Sequence, residues 1–192
     1  MLATGGSKVL LIDADLRKPR LHRMIKAKNV RGLTSVVLGE RAASEVIHSF
    51  PTIPNLDLIT SGPLPPNPPE LFGKQSFRRL LDEARASYDW VLIDTPPVAM
   101  VTDPVICARL VDLVVLVIQY GSTKRQVVRE MVHLLNRTGT HIAGILLNQV
   151  DVERDHYYYS GYYSYRHYGY YGDKAPPTKN KQAAAKPAGK AG

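Results

Sequence analysis

At 192 residues, 44% of them hydrophobic, the chain is long enough for one domain with a real core plus a tail. The formal net charge of +8 is unevenly spread, because Lys174, Lys179, Lys181, Lys186 and Lys190 supply five positive charges with no acid after Asp173, and the remainder is only mildly basic. A single cysteine, Cys107, excludes an intrachain disulfide framework and fits a reducing compartment, and no apolar run approaches the ~18 residues of a membrane span.

Leu2-Ala3-Thr4-Gly5-Gly6-Ser7-Lys8 reads as the end of a helix followed by a glycine turn, after which a strand begins at Val9. Its four apolar residues, Val9 to Ile12, suit a strand buried on both faces of a parallel sheet. Asp13 and Asp15 then fall at the carboxyl end, where open α/β sheets place their ligands, although a solvated charged turn is the competing reading of Asp13-Ala14-Asp15 alone. Seven cations follow between Arg17 and Arg31 with no aromatic residue among them, so no nucleic-acid partner is expected.

Short helices are predicted within Pro19 to Lys28 and over Thr34 to Leu38, closed by Gly32 and Gly39. Leu56 to Ile59 reads as a strand, and its exit, Thr60 to Pro69, holds five prolines and is predicted to be a loop. Helical spacing resumes at Glu70, with Phe77, Leu80, Leu81 and Ala84 forming one apolar face. Val91 to Ile93 reads as a second buried strand, and it ends, like the first, in a carboxylate, Asp94. Val111 to Gln119 gives a third strand. Lys124 to Asn136 gives an amphipathic helix with Val127, Val128, Met131, Leu134 and Leu135 inward, and Ile142 to Asn148 a further strand. Alternating strands and helices predict an α/β domain, a mostly parallel sheet with helices on both faces, over residues 1–155. Cys107, in the apolar stretch Asp103 to Leu110, reads as a buried small residue.

From Arg154 the periodicity stops. Nine of the eleven tyrosines lie between His156 and Gly172, among glycine, serine and histidine, and residues 156–192 are expected to be disordered because they offer too little aliphatic surface to offset the entropy of ordering.

Paired acids at strand ends suit magnesium-assisted phosphoryl transfer, in which one carboxylate orients the metal through water and another accepts the proton of the attacking hydroxyl. Val9 to Arg17 (VLLIDADLR) resembles the Walker A′ motif of bacterial tyrosine kinases, and Val91 to Pro97 (VLIDTPP) resembles their Walker B motif. Gly62 to Leu71 is similar to a loop of that family, and the tyrosine cluster to its C-terminus. The resemblance covers residues 2 to 171 and is to the autokinases that control capsule and exopolysaccharide polymerisation and export, P-loop ATPases related to the cell-division and plasmid-partition ATPases.

That resemblance implies ATP and Mg2+ as cofactors, Asp13 as base or metal-orienting residue, Asp15 as its partner, and Asp94 as the residue that orients magnesium. It places Asn148 at an adenine contact, and leaves Arg17 either meeting phosphate or pairing with Asp15. The implied acceptors are Tyr157, Tyr158, Tyr159, Tyr162, Tyr163, Tyr165, Tyr168, Tyr170 and Tyr171, phosphorylated on a neighbouring subunit. It further implies a homo-oligomer, a membrane-anchored polysaccharide co-polymerase adaptor, a cognate tyrosine phosphatase, and a cytoplasmic location at the inner face of the plasma membrane.

One departure is plain. The family's P-loop, a glycine-rich turn ending in Gly-Lys-Ser/Thr, is expected on a strand and helix before Val9, and Gly5-Gly6-Ser7-Lys8 is not that loop, since its spacing is wrong and a strand rather than a helix follows. The chain therefore reads as a fragment or mis-started product of a longer kinase, a natural truncation, or one half of a site completed by another polypeptide, with the fragment preferred. A sheet without its P-loop strand is expected to expose apolar surface and an unpaired edge, and so to be poorly soluble or oligomeric. The leading function is autophosphorylation from Mg-ATP to tail tyrosines. The runner-up is a non-catalytic interaction module and phospho-acceptor, and a third reading is a partition-type ATPase.

Overall fold

The computed structural model describes residues 1–50 and 52–151. The tyrosine cluster, with all nine expected acceptors, and the 155/156 domain boundary lie outside the described residues.

A 3-10 turn, Ala3–Gly5, leads into β1 (Val9–Asp13). Then come α1 (Leu21–Met24), α2 (Leu33–Val37), β2 (Ile47–Ser49), β3 (Leu56–Ile59), α3 (Pro68–Gly73), α4 (Gln75–Ser87) and β4 (Trp90–Asp94). The last four elements are α5 (Asp103–Ala108), β5 (Val114–Gln119), α6 (Arg125–Asn136) and β6 (Ile142–Asn148). Gly6 closes the first turn at φ 97°, donating its N–H to Ala3, which is the left-handed closure that the glycine pair predicts.

The strands β1, β3 and β4 are parallel, with β1 paired on both sides: Val9 to Ile12 lie opposite Leu56 to Ile59, and Val9 to Asp13 opposite Trp90 to Asp94. The sheet order is β2-β3-β1-β4, and β2 is antiparallel to β3. At three residues β2 is too short to show a period in the sequence. β5 and β6 form a separate parallel pair, so the expected sheet is mostly parallel but comes in two pieces.

The core lies against β1, where Leu10 and Ile12 pack with Leu33, Ile59, Phe72, Phe77, Leu80 and Leu81, and the rings of Phe72 and Phe77 meet edge to face at 5.2 Å. A smaller cluster joins Ala108, Leu116, Met131 and Leu135 between α5, β5 and α6. Cys107 is buried in the main cluster, and burial pushes its thiol up to about 12, so it is inert rather than nucleophilic.

Several elements depart from the sequence reading. Pro68 and Pro69 open α3 instead of ending the proline-rich loop, because proline is pre-organised for a first helical turn where its missing N–H costs nothing. Lys74, at ψ 146°, separates α3 from α4, so the helix expected from Glu70 is two helices. β4 is not buried on both faces: Trp90 is 44% and Leu92 42% exposed, because β4 pairs with β1 alone and one of its faces is uncovered. Val115 and Val117 of β5 are similarly open, and Leu134 of α6 points outward rather than into the cluster.

Gly32 does not close α1, which ends at Met24, with Lys26 at φ 53° two residues beyond. It instead precedes α2 and lets two backbones meet. Leu33 and Thr34 donate to the carbonyls of Thr60 and Ser61, and the Asn29 side chain grips Ser61 and Gly62. A Cβ on Gly32 would stand 2.1 Å from the Thr60 carbonyl oxygen. Gly32→Ala is therefore expected to cost about 1–3 kcal/mol by overpacking, while Gly5→Ala, with open space around it, leaves the denaturant midpoint nearly unchanged. Urea unfolding of both variants measures the contrast.

Candidate active-site edge

Parallel pairing in register carries β1 and β4 to a common end, where Asp13 lies opposite Asp94 and the Ala14 N–H donates to the Asp94 carbonyl at 2.8 Å. Asp13 is fully buried. Its Oδ1 accepts the Asp15 N–H at 3.3 Å and its Oδ2 the Leu21 N–H at 3.1 Å, so this carboxylate holds the turn between β1 and α1. Burial raises the Asp13 pKa above its ordinary value against the pull of those two amides, and the nearby charges of Asp94 and Asp15 add to the rise.

Asp15 caps the same turn, its Oδ1 accepting the N–H groups of Arg17 (3.1 Å) and Lys18 (2.9 Å). Asp94 reaches solvent, yet desolvation by the neighbouring protein and the charge of Asp15 raise its pKa as well. Three carboxylates thus repel one another at one strand edge, as expected from Asp13, Asp15 and Asp94 in the sequence.

Arg17 makes no side-chain hydrogen bond to Asp15, although the Asp15 charge still acts on it. Its guanidinium pairs with Asp103, Nε to Oδ2 at 2.7 Å and Nη2 to Oδ1 at 3.2 Å, while only its backbone N–H meets Asp15. Asp103, fully buried in the first turn of α5, was not legible as a site residue. Its signal is an acid leading an otherwise apolar run, which requires a cation that sequence spacing does not locate. The fork-to-fork geometry ties α5 to the end of β1 across 86 residues.

Asn148 ends β6 opposite Gln119, in the two-stranded sheet. Its backbone carbonyl accepts the Tyr120 N–H and its Oδ1 the Gln149 N–H at 2.9 Å.

Among the described residues, no group of three or more His, Cys, Asp or Glu side chains is placed to hold a metal. An all-protein cage is thereby absent there. The set of two or three carboxylates does fit Mg2+, which keeps most of its waters and is held through one or two carboxylates together with phosphate oxygens. The pKa values of Asp13 and Asp94 are raised first by burial and then by neighbouring carboxylate charge, and it is the second contribution that a divalent cation would offset.

Comparison with known proteins gives the family of the chain. A family model described as an AAA domain matches residues 1–146. The putative tyrosine-protein kinase EpsB of Ralstonia solanacearum is 37% identical over 180 residues, 92% of this chain and 24% of that protein. The putative tyrosine-protein kinase CapB of Staphylococcus aureus is 35% identical over 161 residues, 83% of this chain and 70% of that protein. The chain belongs to the bacterial tyrosine kinase family. The kinase domain of the Escherichia coli tyrosine kinase ETK superposes with a TM-score of 0.75 at 36% identity, covering 78% of this chain and 58% of that one. The chain therefore spans about a quarter of EpsB and somewhat over half of the ETK domain.

Two outcomes are expected of this edge of the kinase fold. Arg17→Ala leaves the buried Asp103 carboxylate without a counter-charge and lowers the thermal midpoint, and adding Asp103→Asn recovers most of the loss by neutralising it. Because the folded pKa of Asp94 is raised, the folded state binds the extra proton, and stability falls as pH rises from the unfolded value through the folded one. Asp94→Asn should thus raise the thermal midpoint at pH 7 and change it little at pH 3, as calorimetry at the two pH values would measure.

Proposed function

We propose that this chain carries the Walker A′ and Walker B side of a protein-tyrosine autokinase site, transferring phosphate from Mg-ATP to the tyrosines between Tyr157 and Tyr171, and that this modification regulates exopolysaccharide or capsule export. The observation that carries the reading is the in-register pairing of Asp13 and Asp94 at the end of two parallel strands, with Asp15 held beside them by its own turn.

Bound Mg2+ would neutralise charge on the phosphates as transfer proceeds. The chain's own residues supply the rest. Asp94, open to solvent, would help to hold the ion, with the negative charge of Asp15 beside it. Asp13, with its pKa raised by burial, is suited to accept the proton of the attacking tyrosine hydroxyl. Asp103 takes both hydrogen bonds of the Arg17 guanidinium, so the Asp15 Oδ1 is left to the backbone amides of its turn. Asn148, at a parallel strand end, is the proposed adenine contact. The proposed setting is the cytoplasmic face of the membrane, in a homo-oligomer with a membrane-anchored polysaccharide co-polymerase adaptor, reversed by a cognate tyrosine phosphatase.

A second reading, an interaction module and phospho-acceptor, has one specific support. Among the described residues β4 pairs on one side only and β5 only with β6, and Trp90, Leu92, Val115 and Val117 are exposed on these strands. Together with the absence of a Gly-Lys-Ser/Thr loop from the 192 residues, this suits a sheet completed by polypeptide outside them.

Incubation with Mg-ATP, alone and with an intact kinase of the family, followed by phosphotyrosine detection on residues 157–171, separates the two. The autokinase reading predicts label that Asp13→Asn lowers on the order of 10²-fold or more. Label that needs the added kinase and ignores Asp13→Asn contradicts it and favours the acceptor module.

A further inference from the structure

Between Asp15 and Glu40 the chain holds no acid, and beyond Arg17 it places Lys18, Arg20, Arg23, Lys26, Lys28 and Arg31 there. All six side chains are exposed. Arg17 is held by Asp103, whereas none of these six has an ion-pair partner among the described residues. The two ends of the run do feel acids. Lys18 starts beside Asp15, which accepts its N–H, while Lys28 and Arg31 share a cavity wall with Glu40, and Glu45 and Arg31 attract each other. Arg20, Arg23 and Lys26 lie between these ends with no acid bonded to them.

The same stretch exposes apolar groups among its cations. Met24, next to Arg23 in α1, is 65% exposed, and Val30 is 68% exposed and shares a wall with Lys28 and Arg31. A merely solvated charged turn has no use for them. The backbone beneath is seated at both ends. Leu21 donates to Asp13 Oδ2 at 3.1 Å, Asn29 holds Ser61 and Gly62, and the Arg31 carbonyl accepts the Thr60 hydroxyl at 3.0 Å. Between these anchors α1 lasts four residues, closed by the Lys26 and Ala27 N–H groups on the carbonyls of Arg23 and His22. The segment therefore offers neither a strand edge nor a long helix that could fix the register of a peptide.

We propose that residues 18–30 form a docking surface for an anionic lipid bilayer, centred on Arg20, Arg23 and Lys26, with Met24 and Val30 entering the apolar boundary below the headgroups. Lipid headgroups supply negative charge that moves to meet the protein, which suits cations spaced unevenly along an irregular segment. Each cation close to such a surface strengthens binding by about fivefold. The apolar pair separates a bilayer from nucleic acid. A duplex rewards the cations through its phosphates but gives nothing for exposed Met24 and Val30. Single strands lack a stacking platform, because no Phe, Trp or Tyr occurs from Leu16 to Ser49. Since Leu21 and Lys18 are bonded to Asp13 and Asp15, a docked chain holds its carboxylate edge beside the bilayer. The contact is made by these side chains alone and does not rest on phosphate transfer.

Flotation of the 192-residue chain with vesicles of phosphatidylcholine, alone or mixed with phosphatidylglycerol, measures this docking in the absence of nucleotide. The expected partition onto the mixed vesicles exceeds that onto phosphatidylcholine on the order of tenfold, and Arg20→Gln/Arg23→Gln/Lys26→Gln lowers it by about tenfold or more. Met24→Ser/Val30→Ser, which leaves the charge unchanged, lowers it about threefold. The lysines after Asp173 are controlled by a variant carrying Lys174→Gln, Lys179→Gln, Lys181→Gln, Lys186→Gln and Lys190→Gln, which is expected to keep the sensitivity to the triple substitution. Equal partition onto the two vesicle types overturns the proposal and needs no variant. So does binding that vanishes with the five lysines yet ignores Arg20, Arg23 and Lys26. Indifference to Met24→Ser/Val30→Ser overturns the bilayer as the occupant, as does a DNA duplex or polyglutamate that displaces the chain from the vesicles at equal anionic charge. Circular dichroism confirms that each variant is folded. With no nucleotide present, failure of the kinase reading leaves this result unchanged.

Discussion

Everything at the candidate site depends on β1 being hydrogen-bonded on both sides. Strands β3 and β4 fix its register to the residue, and the register puts Asp13 beside Asp94. The main core packs against Leu10 and Ile12 of the same strand, so the apolar energy of the domain also holds the carboxylates in place. A buried carboxylate at the end of such a strand is costly unless its oxygens are met, and the amides of Asp15 and Leu21 meet them. The structural role and the proposed chemical one thus fall on one side chain. Asp13 holds the turn, and the turn presents Asp15.

Much of this was readable in the residues. The apolar runs fixed the positions of β1, β3 and β6 closely, and the two strand-end acids pointed to one edge, because apolar strands of parallel sheets end where their ligands bind. What was not readable depended on contacts between distant segments. Asp103 cannot be assigned to Arg17 from spacing, since 86 residues intervene. The role of Gly32 is to let the Thr60 carbonyl approach, which its own neighbourhood in sequence does not reveal. The burial of β4 was overestimated for a related reason: an apolar run indicates what a strand could bury, whereas Trp90 and Leu92 are left partly open among the described residues. β2 escaped because three residues show no period.

The two-part sheet is the physical basis for weighing the two functional readings together. The carboxylate edge formed by β1 and β4 and a second pair, β5 and β6, share the parallel direction within each piece, yet among the described residues no strand pairing joins them. Open parallel edges bordered by exposed valine, leucine and tryptophan are associating surfaces. The chain belongs to the bacterial tyrosine kinase family and spans about a quarter of EpsB.

The central claim is that Asp13, Asp15 and Asp94 form a cation-dependent phosphate edge. Carboxyl-carbon NMR of selectively labelled aspartates, titrated with pH in the absence and presence of Mg2+ and ATP, tests it at the atoms concerned. The account predicts that Asp13 and Asp94 titrate above ordinary aspartate values and that Mg-ATP lowers the Asp94 value, because a cation relieves the repulsion. Ordinary values for both residues, unmoved by Mg-ATP, would contradict it.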